Sequence, residues 1–371
     1  LKDKKRVVIL GSTGTIGKMA ADVLSKNDEF EVVGLLARKS LKTLLEMKST
    51  FPHAMTALTE ELSDDVDFTG SESVEALLES TKPDIVVVGV SGFIGLKYSL
   101  LSAQHSKRLC LANKESIVTG GRFFLNAVKS YGCEIIPVDS EHNAIFQLID
   151  SERSKIESIY LTASGGAIRD IPVEALEKVT PEKVLKHPVW NMGSRITVDS
   201  STMFNKGLEV MEAHFLFGFP PEKINVLVHP EGKIHGIIEL EDGTFKAFIS
   251  KADMRIPIEY ALLYPKRSYK NEKFDLSGNL QLLRPDPLKY PALELAYECL
   301  KAGDGSRIAY NAADEVAVEY FLRGKIGFLQ IYDIVKKVVE KGWEKDLNDY
   351  ESIESIDRES RILATELLSK W

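Results

Sequence analysis

The chain has 371 residues, 44% of them hydrophobic and 27% charged, which is the make-up of a globular protein with two or three domains. Its net charge of -8 argues against a nucleic-acid binder, which carries a basic excess on at least one face. No run of about 18 apolar residues occurs, so no transmembrane helix and no membrane partner are expected. Leu1 to Arg6 is charged and leads straight into an apolar run, which is not the pattern of a signal peptide. Three cysteines, Cys110, Cys133 and Cys299, fit a reducing cytoplasm without a disulfide framework.

In chain order, strand signals come first at Arg6–Leu10, Glu31–Leu36, Ile85–Val88, Arg108–Leu111 and Glu134–Val138. Between them lie helical patterns at Ile16–Ser25, Leu41–Met47, Val74–Ser80 and Arg122–Ser130. Apolar strands alternating with amphipathic helices predict a parallel sheet covered on both faces. Residues 1–139 are therefore expected to form an α/β, Rossmann-like, doubly wound domain. Next, Ile156–Thr162 reads as a strand and Met203–Phe217 as a helix. Ile224–His229, Ile234–Leu240 and Thr244–Ser250 read as strands, with a hairpin turn at Glu241-Asp242-Gly243. These predict an antiparallel sheet in a central α+β catalytic and dimerisation domain over 140–264. A stretch rich in Pro, Lys, Asn and Ser over 265–290 reads as a linker. Helical patterns at Ala292–Ala302, Ala312–Arg323, Leu329–Lys341 and Ile353–Leu368 predict a helical bundle over 291–371.

The first strand ends in Gly11-Ser12-Thr13-Gly14-Thr15-Ile16-Gly17, and a helix follows. Glycines at this junction let the backbone approach a pyrophosphate, and the helix N-terminus offers free N–H groups. The spacing is G-x-x-G-x-x-G, and its place in a strand–helix–strand unit is what points to a dinucleotide. After the second strand stands Ala37-Arg38-Lys39-Ser40, where an NAD enzyme has an acid for the ribose hydroxyls. A cation pair beside a hydroxyl suits the 2′-phosphate of NADPH. The competing explanation is a solvated basic loop.

Asp139-Ser140-Glu141-His142-Asn143 follows the fifth strand signal. On an extended chain Asp139 and Glu141 point the same way, past the carboxyl end of a parallel strand where such sheets bind ligands. Two hard oxygen ligands suit Mg²⁺ or Mn²⁺, and a solvated loop with a helix cap explains them equally well. Glu209 is a third candidate, which taken alone reads as an ordinary helix residue, and Asn205, Lys206 and Glu209 fall at helical spacing on one face. Lys114, in Leu111-Ala112-Asn113-Lys114-Glu115-Ser116, stands at a helix start, where the helix dipole disfavours a cation. That placement favours a functional lysine over a surface one. Thr162-Ala163-Ser164-Gly165-Gly166 can present hydroxyl and backbone donors to an anion that Asn205 and Lys206 also reach, or it is a simple turn. His187-Pro188-Val189-Trp190-Asn191-Met192-Gly193-Ser194 has no helix or strand period and suits a flap over a ligand, here bounded as 184–194, with a buried loop as the alternative. His53, His105 and His214 are assigned to packing or surface; His229 and His235 are left unassigned.

Gly11–Gly17, Leu111–Ser116, Pro137–Gln147, Thr162–Gly166, His187–Gly193, Val198–Glu209 and Asp253–Pro257, taken in order, resemble the reductoisomerase family of the non-mevalonate isoprenoid pathway. The resemblance implies conversion of 1-deoxy-D-xylulose 5-phosphate and NADPH into 2-C-methyl-D-erythritol 4-phosphate and NADP⁺. It implies one divalent cation (Mg²⁺, Mn²⁺ or Co²⁺) on Asp139, Glu141 and Glu209. Lys114, Ser140, Glu141 and His187 would meet the substrate, with Lys114, Glu141 and His187 catalytic. Ser164, Ser200, Asn205 and Lys206 would bind its phosphate, next to Glu209. Thr13, Gly14, Thr15, Ile16, Ala37, Arg38, Lys39, Ser40, Asn113, Glu115 and Gly193 would line the NADPH site. A cytoplasmic homodimer inhibited by fosmidomycin is expected. Ala163, where the family commonly has glycine, and Asn191, where it often has serine, depart from the pattern without removing a ligand. A semialdehyde dehydrogenase would instead need a reactive cysteine. A non-catalytic NADP sensor would need neither carboxylates nor flap.

Overall fold

The computed structural model describes residues 4–186, 189–190, 192–267 and 273–370. The chain divides into two compact units. The first comprises Leu1–Ser116, Phe124–Asn143 and Asp253–Glu272; the second comprises Ile117–Phe123, Ala144–Ala252 and Lys273–Trp371.

The first unit is built on seven parallel strands in the order β4-β3-β2-β1-β5-β6-β7. They are β1 (Lys5–Leu10), β2 (Phe30–Ala37), β3 (Met55–Leu58), β4 (Phe68–Thr69), β5 (Ile85–Val88), β6 (Arg108–Leu111) and β7 (Glu134–Pro137). The connecting helices are α1 (Thr15–Ser25), α2 (Leu41–Thr50), α3 (Ser73–Thr81), α4 (Ile94–His105) and α5 (Lys114–Ser130). Val7–Leu10 and Val86–Val88 have no exposed surface, because central strands of a doubly covered sheet are apolar on both faces. From β1 the chain winds outward to β4, then returns to the other side of β1 at β5. The direction therefore reverses between β1 and β5, the place where open parallel sheets bind ligands beyond the strand ends. Late in the sequence α10 (Arg255–Leu263) joins this unit: Arg255 lies 3.5 Å from Asp22 of α1, and Arg108 donates to the carbonyls of Ala261 and Leu262.

After β7, α6 (Ser140–Ser151) begins at once. The second unit holds β8 (Ile156–Ala163), α7 (Pro181–Val184), α8 (Ser194–Thr202), α9 (Phe204–Phe217), β9 (Ile224–Val228), β10 (Ile234–Leu240) and β11 (Phe245–Ile249). It also holds α11 (Pro291–Ala302), α12 (Asp304–Leu322), α13 (Phe328–Glu340) and α14 (Tyr350–Leu368). Its sheet runs β11-β10-β8-β9. β10 is antiparallel to both neighbours, whereas β8 and β9 are parallel. The antiparallel expectation is thus corrected to a mixed sheet. The cause is the long α7–α9 crossover, which brings the chain back alongside β8 in the same direction. The hairpin at Glu241–Gly243 forms as expected, closed by Gly243 N–H to the Leu240 carbonyl at 2.9 Å. One apolar core runs from Ile159, Leu161 and Ile238 in the sheet through Phe204 and Met211 to Phe321 and Ile334 in the helices. Each fully buried ring such as Phe204, tilted on Tyr310 at 4.9 Å, adds about 2–3 kcal/mol of burial energy.

Candidate active site

The glycine turn lies at the direction reversal of the first unit. Gly14 caps α1, and its N–H returns to the Gly11 carbonyl at 3.0 Å. A Cβ on Gly17 would stand 2.3 Å from the Gly11 carbonyl oxygen and 2.5 Å from the Ser12 Cα. No side chain fits there, so the turn stays collapsed on the first turn of α1. Ser12 is buried and donates to the Leu36 carbonyl, which ties this turn to the end of β2. Ala37, the last residue of β2, is buried, while Arg38 and Lys39 beyond it are exposed and flank Glu60 at 3.9 and 3.2 Å. Ser40 is the residue before α2. Thr13, Gly14, Thr15 and Ile16 remain at least partly exposed at the turn.

Asn113 and Glu115 sit at the start of α5 and are buried. The Asn113 amide donates to the carbonyls of Val90 and Gly92, both at 3.1 Å, and to Glu115 at 2.9 Å. Glu115 in turn accepts the Gly92 N–H at 2.9 Å, so the pair fixes the loop after β5.

Between them stands Lys114, its ammonium 2.6 Å from the Asp139 carboxylate, with both side chains largely buried. The extended geometry expected for Asp139–Asn143 is not found. Asp139 precedes the first turn of α6, and its carbonyl accepts the Asn143 N–H at 2.8 Å. Its carboxylate accepts the Glu141 N–H at 3.4 Å. Two acids at the N-terminus of a helix are favoured by the dipole, and this displaced the extended form. Glu141 accepts from the Ser140 hydroxyl at 2.5 Å. His142, fully buried, places Nδ1 3.8 Å from Asp139. The sequence assigned His142 no role, and a histidine beside two acids was the available signal.

In the second unit Asn205, Lys206 and Glu209 share one face of α9, as their spacing predicts. Both Asn205 and Lys206 donate to the Glu209 carboxylate, and Lys206 and Glu209 are buried. The turn after β8 packs on α8. A Cβ on Gly166, whose φ is +65°, would lie 2.5 Å from the Ser201 Cα. Gly166 N–H donates to the Ser164 hydroxyl and Ala167 N–H to the Ser201 hydroxyl, both at 3.2 Å. Ser200 immediately precedes Ser201 on α8. Such a turn can present donors to an anion.

His187, Pro188 and Asn191 of the expected flap lie outside the described residues. Gly193 caps α8, its carbonyl accepting from the Thr197 hydroxyl at 2.8 Å. The Trp190 ring centre is 6.1 Å from that of His235. Burial pushes His235 down to about 4, so it is neutral near pH 7 and donates from Nε2 to the Ser250 carbonyl at 3.2 Å. His235, left unassigned in the sequence, is thereby placed beside the flap segment. Burial also pushes the thiols of Cys110, Cys133 and Cys299 up to about 12, 11 and 12, which makes each a poor nucleophile and speaks against a semialdehyde dehydrogenase.

A collapsed glycine turn at the reversal point of a parallel sheet, with acids and a buried lysine beyond the neighbouring strands, defines a dinucleotide-dependent oxidoreductase. The chain belongs to the 1-deoxy-D-xylulose 5-phosphate reductoisomerase family. Residues 7–121 match the family model described as 1-deoxy-D-xylulose 5-phosphate reductoisomerase, and residues 135–217 and 249–363 match models of its C-terminal domains. It is 47% identical to the 1-deoxy-D-xylulose 5-phosphate reductoisomerase of Thermotoga maritima, over 99% of each chain. It is similar in structure to the Zymomonas mobilis reductoisomerase solved with NADPH, with a TM-score of 0.91, 35% identity and complete coverage of both chains. A DOX-P reductoisomerase solved with NADPH, fosmidomycin and magnesium gives a TM-score of 0.90 at 32% identity over 98% of each chain. Among the described residues no helix is long and apolar enough to cross a membrane.

Proposed function

We propose that this chain rearranges and reduces 1-deoxy-D-xylulose 5-phosphate to 2-C-methyl-D-erythritol 4-phosphate, using NADPH and one divalent cation, in the non-mevalonate route to isoprenoids. The observation that carries this reading is the Lys114–Asp139 pair, a buried cation at the N-terminus of α5 against an acid at the N-terminus of α6. The dipole of α5 works against that lysine, so its placement calls for a use beyond folding.

Carboxylate oxygens are the donors that a hard cation takes. Asp139, Glu141 and Glu209 are assigned as its oxygen ligands, and lysines compensate two of these acids in the protein alone. When bound, the cation supplies Lewis-acid polarisation of the substrate oxygens, and NADPH supplies the hydride. The chain's own residues do the rest. Gly11–Gly17 lets the pyrophosphate approach the backbone, and the missing Cβ at Gly17 lets the turn close on the Gly11 carbonyl. Thr13, Gly14, Thr15 and Ile16 line that approach, and Asn113, Glu115 and Gly193 are assigned to the NADPH site with them. Lys114 donates a proton to developing negative charge on the substrate, and Glu141 accepts one. Ser140 and His187 orient the sugar. Ser164, Ser200, Asn205 and Lys206 hold the phosphate, a remote handle whose binding energy aligns the reacting carbons. Trp190 helps exclude water.

The direct test is NADPH oxidation with the deoxyxylulose phosphate, with and without EDTA. Turnover should vanish with chelator and return with Mg²⁺ or Mn²⁺. Chelator-resistant turnover, or none with metal present, would overturn the reading. Arg38 and Lys39, beside the buried Ala37 and ahead of Ser40, are assigned to the 2′-phosphate. Arg38→Ser with Lys39→Ser should lower kcat/KM for NADPH about 30–1,000-fold, since two charge-assisted hydrogen bonds of roughly 1–2 kcal/mol each are removed. The value for NADH should stay within about twofold of wild type, a range well under 1.4 kcal/mol. Equal losses with both cofactors would remove the assignment.

The working form is assigned as a homodimer. Among the described residues no strand pairs with the outer edge of β11, and Phe245 on it is 58% exposed. An apolar edge of this kind suits a second copy. The cytoplasm is the compartment that suits three buried free thiols. Fosmidomycin, bound in the related structure, is expected to inhibit.

A further inference from the structure

A cluster of charges lies inside the second unit, apart from every residue assigned above. Arg195 is the second residue of α8. A cation in the first turn of a helix opposes the helix dipole, so its position needs a compensating partner. It has three. Its guanidinium lies 3.5 Å from Asp199 on its own helix, and 3.8 Å from Asp314 and 3.2 Å from Glu315 on α12. Asp314 is fully buried. Glu315 also meets Arg361 of α14 at 2.9 Å and accepts from Asn311 at 3.1 Å. Arg361 closes the chain on Asp357 at 2.7 Å. Burial acts to raise Glu315, and Arg195 and Arg361 outweigh it, so its carboxyl stays below the ordinary value. Four carboxylates thus face two guanidiniums, and Arg195 links α8 to the helical bundle.

α8 is short and sits between two helix breaks. Gly193 precedes it, and Met203 after it takes a left-handed backbone at φ +62°, which few non-glycine residues adopt. Its tilt therefore depends on side-chain ties rather than on continuation into a longer helix. On one side Ser201 and Gly166 join it to the turn after β8. On the other Arg195 joins it to α12.

We propose that Arg195 is a positioning residue for phosphate recognition: through its ion pair with Glu315, beside the buried Asp314, it fixes α8, and with it Ser200, against the turn Ser164–Gly166. This rests on the assignment of Ser164 and Ser200 to the substrate phosphate. The C-terminal bundle then has a task in the reaction, since α12 and α14 set the geometry of a site to which they lend no ligand.

Inorganic phosphate is the probe, titrated calorimetrically into the full chain, alongside steady-state kinetics with Mg²⁺. Arg195→Met should bind phosphate about tenfold more weakly, and KM for the sugar phosphate should rise by a similar factor. KM for NADPH should stay within about twofold, because every residue assigned to the cofactor except Gly193, which meets it only as the cap of α8, belongs to the other unit. Arg195→Lys, which restores the charge, should recover most of the loss. If Arg195→Met does not fold, Glu315→Gln replaces it, with an expected loss of about threefold in phosphate affinity. Phosphate affinity unchanged in the variant that folds would overturn the proposal. So would a parallel rise in both KM values, which is the mark of general loosening. A wild-type chain that does not bind phosphate would instead refute the Ser164–Ser200 assignment and remove the proposal with it.

Discussion

Glu209→Gln is expected to lower kcat/KM for the sugar phosphate about a thousandfold while leaving NADPH affinity unchanged, a loss of about 4 kcal/mol in transition-state stabilisation. The reason is local to α9. Asn205 and Lys206 both donate to the Glu209 carboxylate, which is buried. Glutamine keeps one acceptor and turns the other oxygen into an N–H₂ group that faces a donor. It also removes one negative charge from a donor set that needs hard anionic oxygens. The measurement is kcat/KM against Mg²⁺ concentration, with NADPH binding followed by fluorescence. A higher Mg²⁺ requirement should accompany the loss. Near-wild-type turnover at ordinary Mg²⁺ would show that Glu209 is not a ligand.

Lys114→Met carries the second large effect, and it separates folding from catalysis. Lys114 and Asp139 meet at 2.6 Å with little solvent. Methionine keeps most of the apolar stem and removes the charge. Removing one partner of a buried pair costs about 3–5 kcal/mol, with the lower end apt here because Asp139 keeps a small exposed fraction. The chelated variant should therefore melt well below wild type. Millimolar Mg²⁺ should return part of that stability, because a cation at Asp139 replaces the lost charge. Activity should not return with it: kcat is expected to remain about a hundredfold down or more, the range for loss of a general acid. Calorimetry with EDTA and with Mg²⁺, run beside the assay, distinguishes the two. An unchanged melting temperature together with kcat close to wild type would sink the role given to Lys114.

Most of the first unit was legible because its signal is local. Val7–Leu10, Ile85–Val88 and Arg108–Leu111 are apolar runs bounded by turns, and each is a strand. α4 escaped notice for a physical reason: Gly95, Ser99, Ser102 and Ala103 are among its buried residues, so it carries no clear apolar stripe. The head of α6 was misjudged because Ser140-Glu141-His142-Asn143 follows a strand with no glycine or proline between, and the helix signal there is dipole and capping rather than apolar period. β8 and β9 pair in parallel across a long crossover, which no local pattern encodes. The site divides along the same line. The glycine turn and the Asn205–Lys206–Glu209 face were fixed by spacing within one element. Arg195 was not singled out, because its partners on α12 lie far downstream and only the packed helices bring them near.

The central claim is that one chain couples a skeletal rearrangement to a hydride transfer, and product identification tests it most directly. Carbon-13 NMR of the product formed from ¹³C-labelled deoxyxylulose phosphate, NADPH and Mg²⁺ should show the branched carbon skeleton of 2-C-methyl-D-erythritol 4-phosphate, formed in step with NADPH consumed. An unbranched deoxypentitol phosphate, reduced without rearrangement, would contradict it.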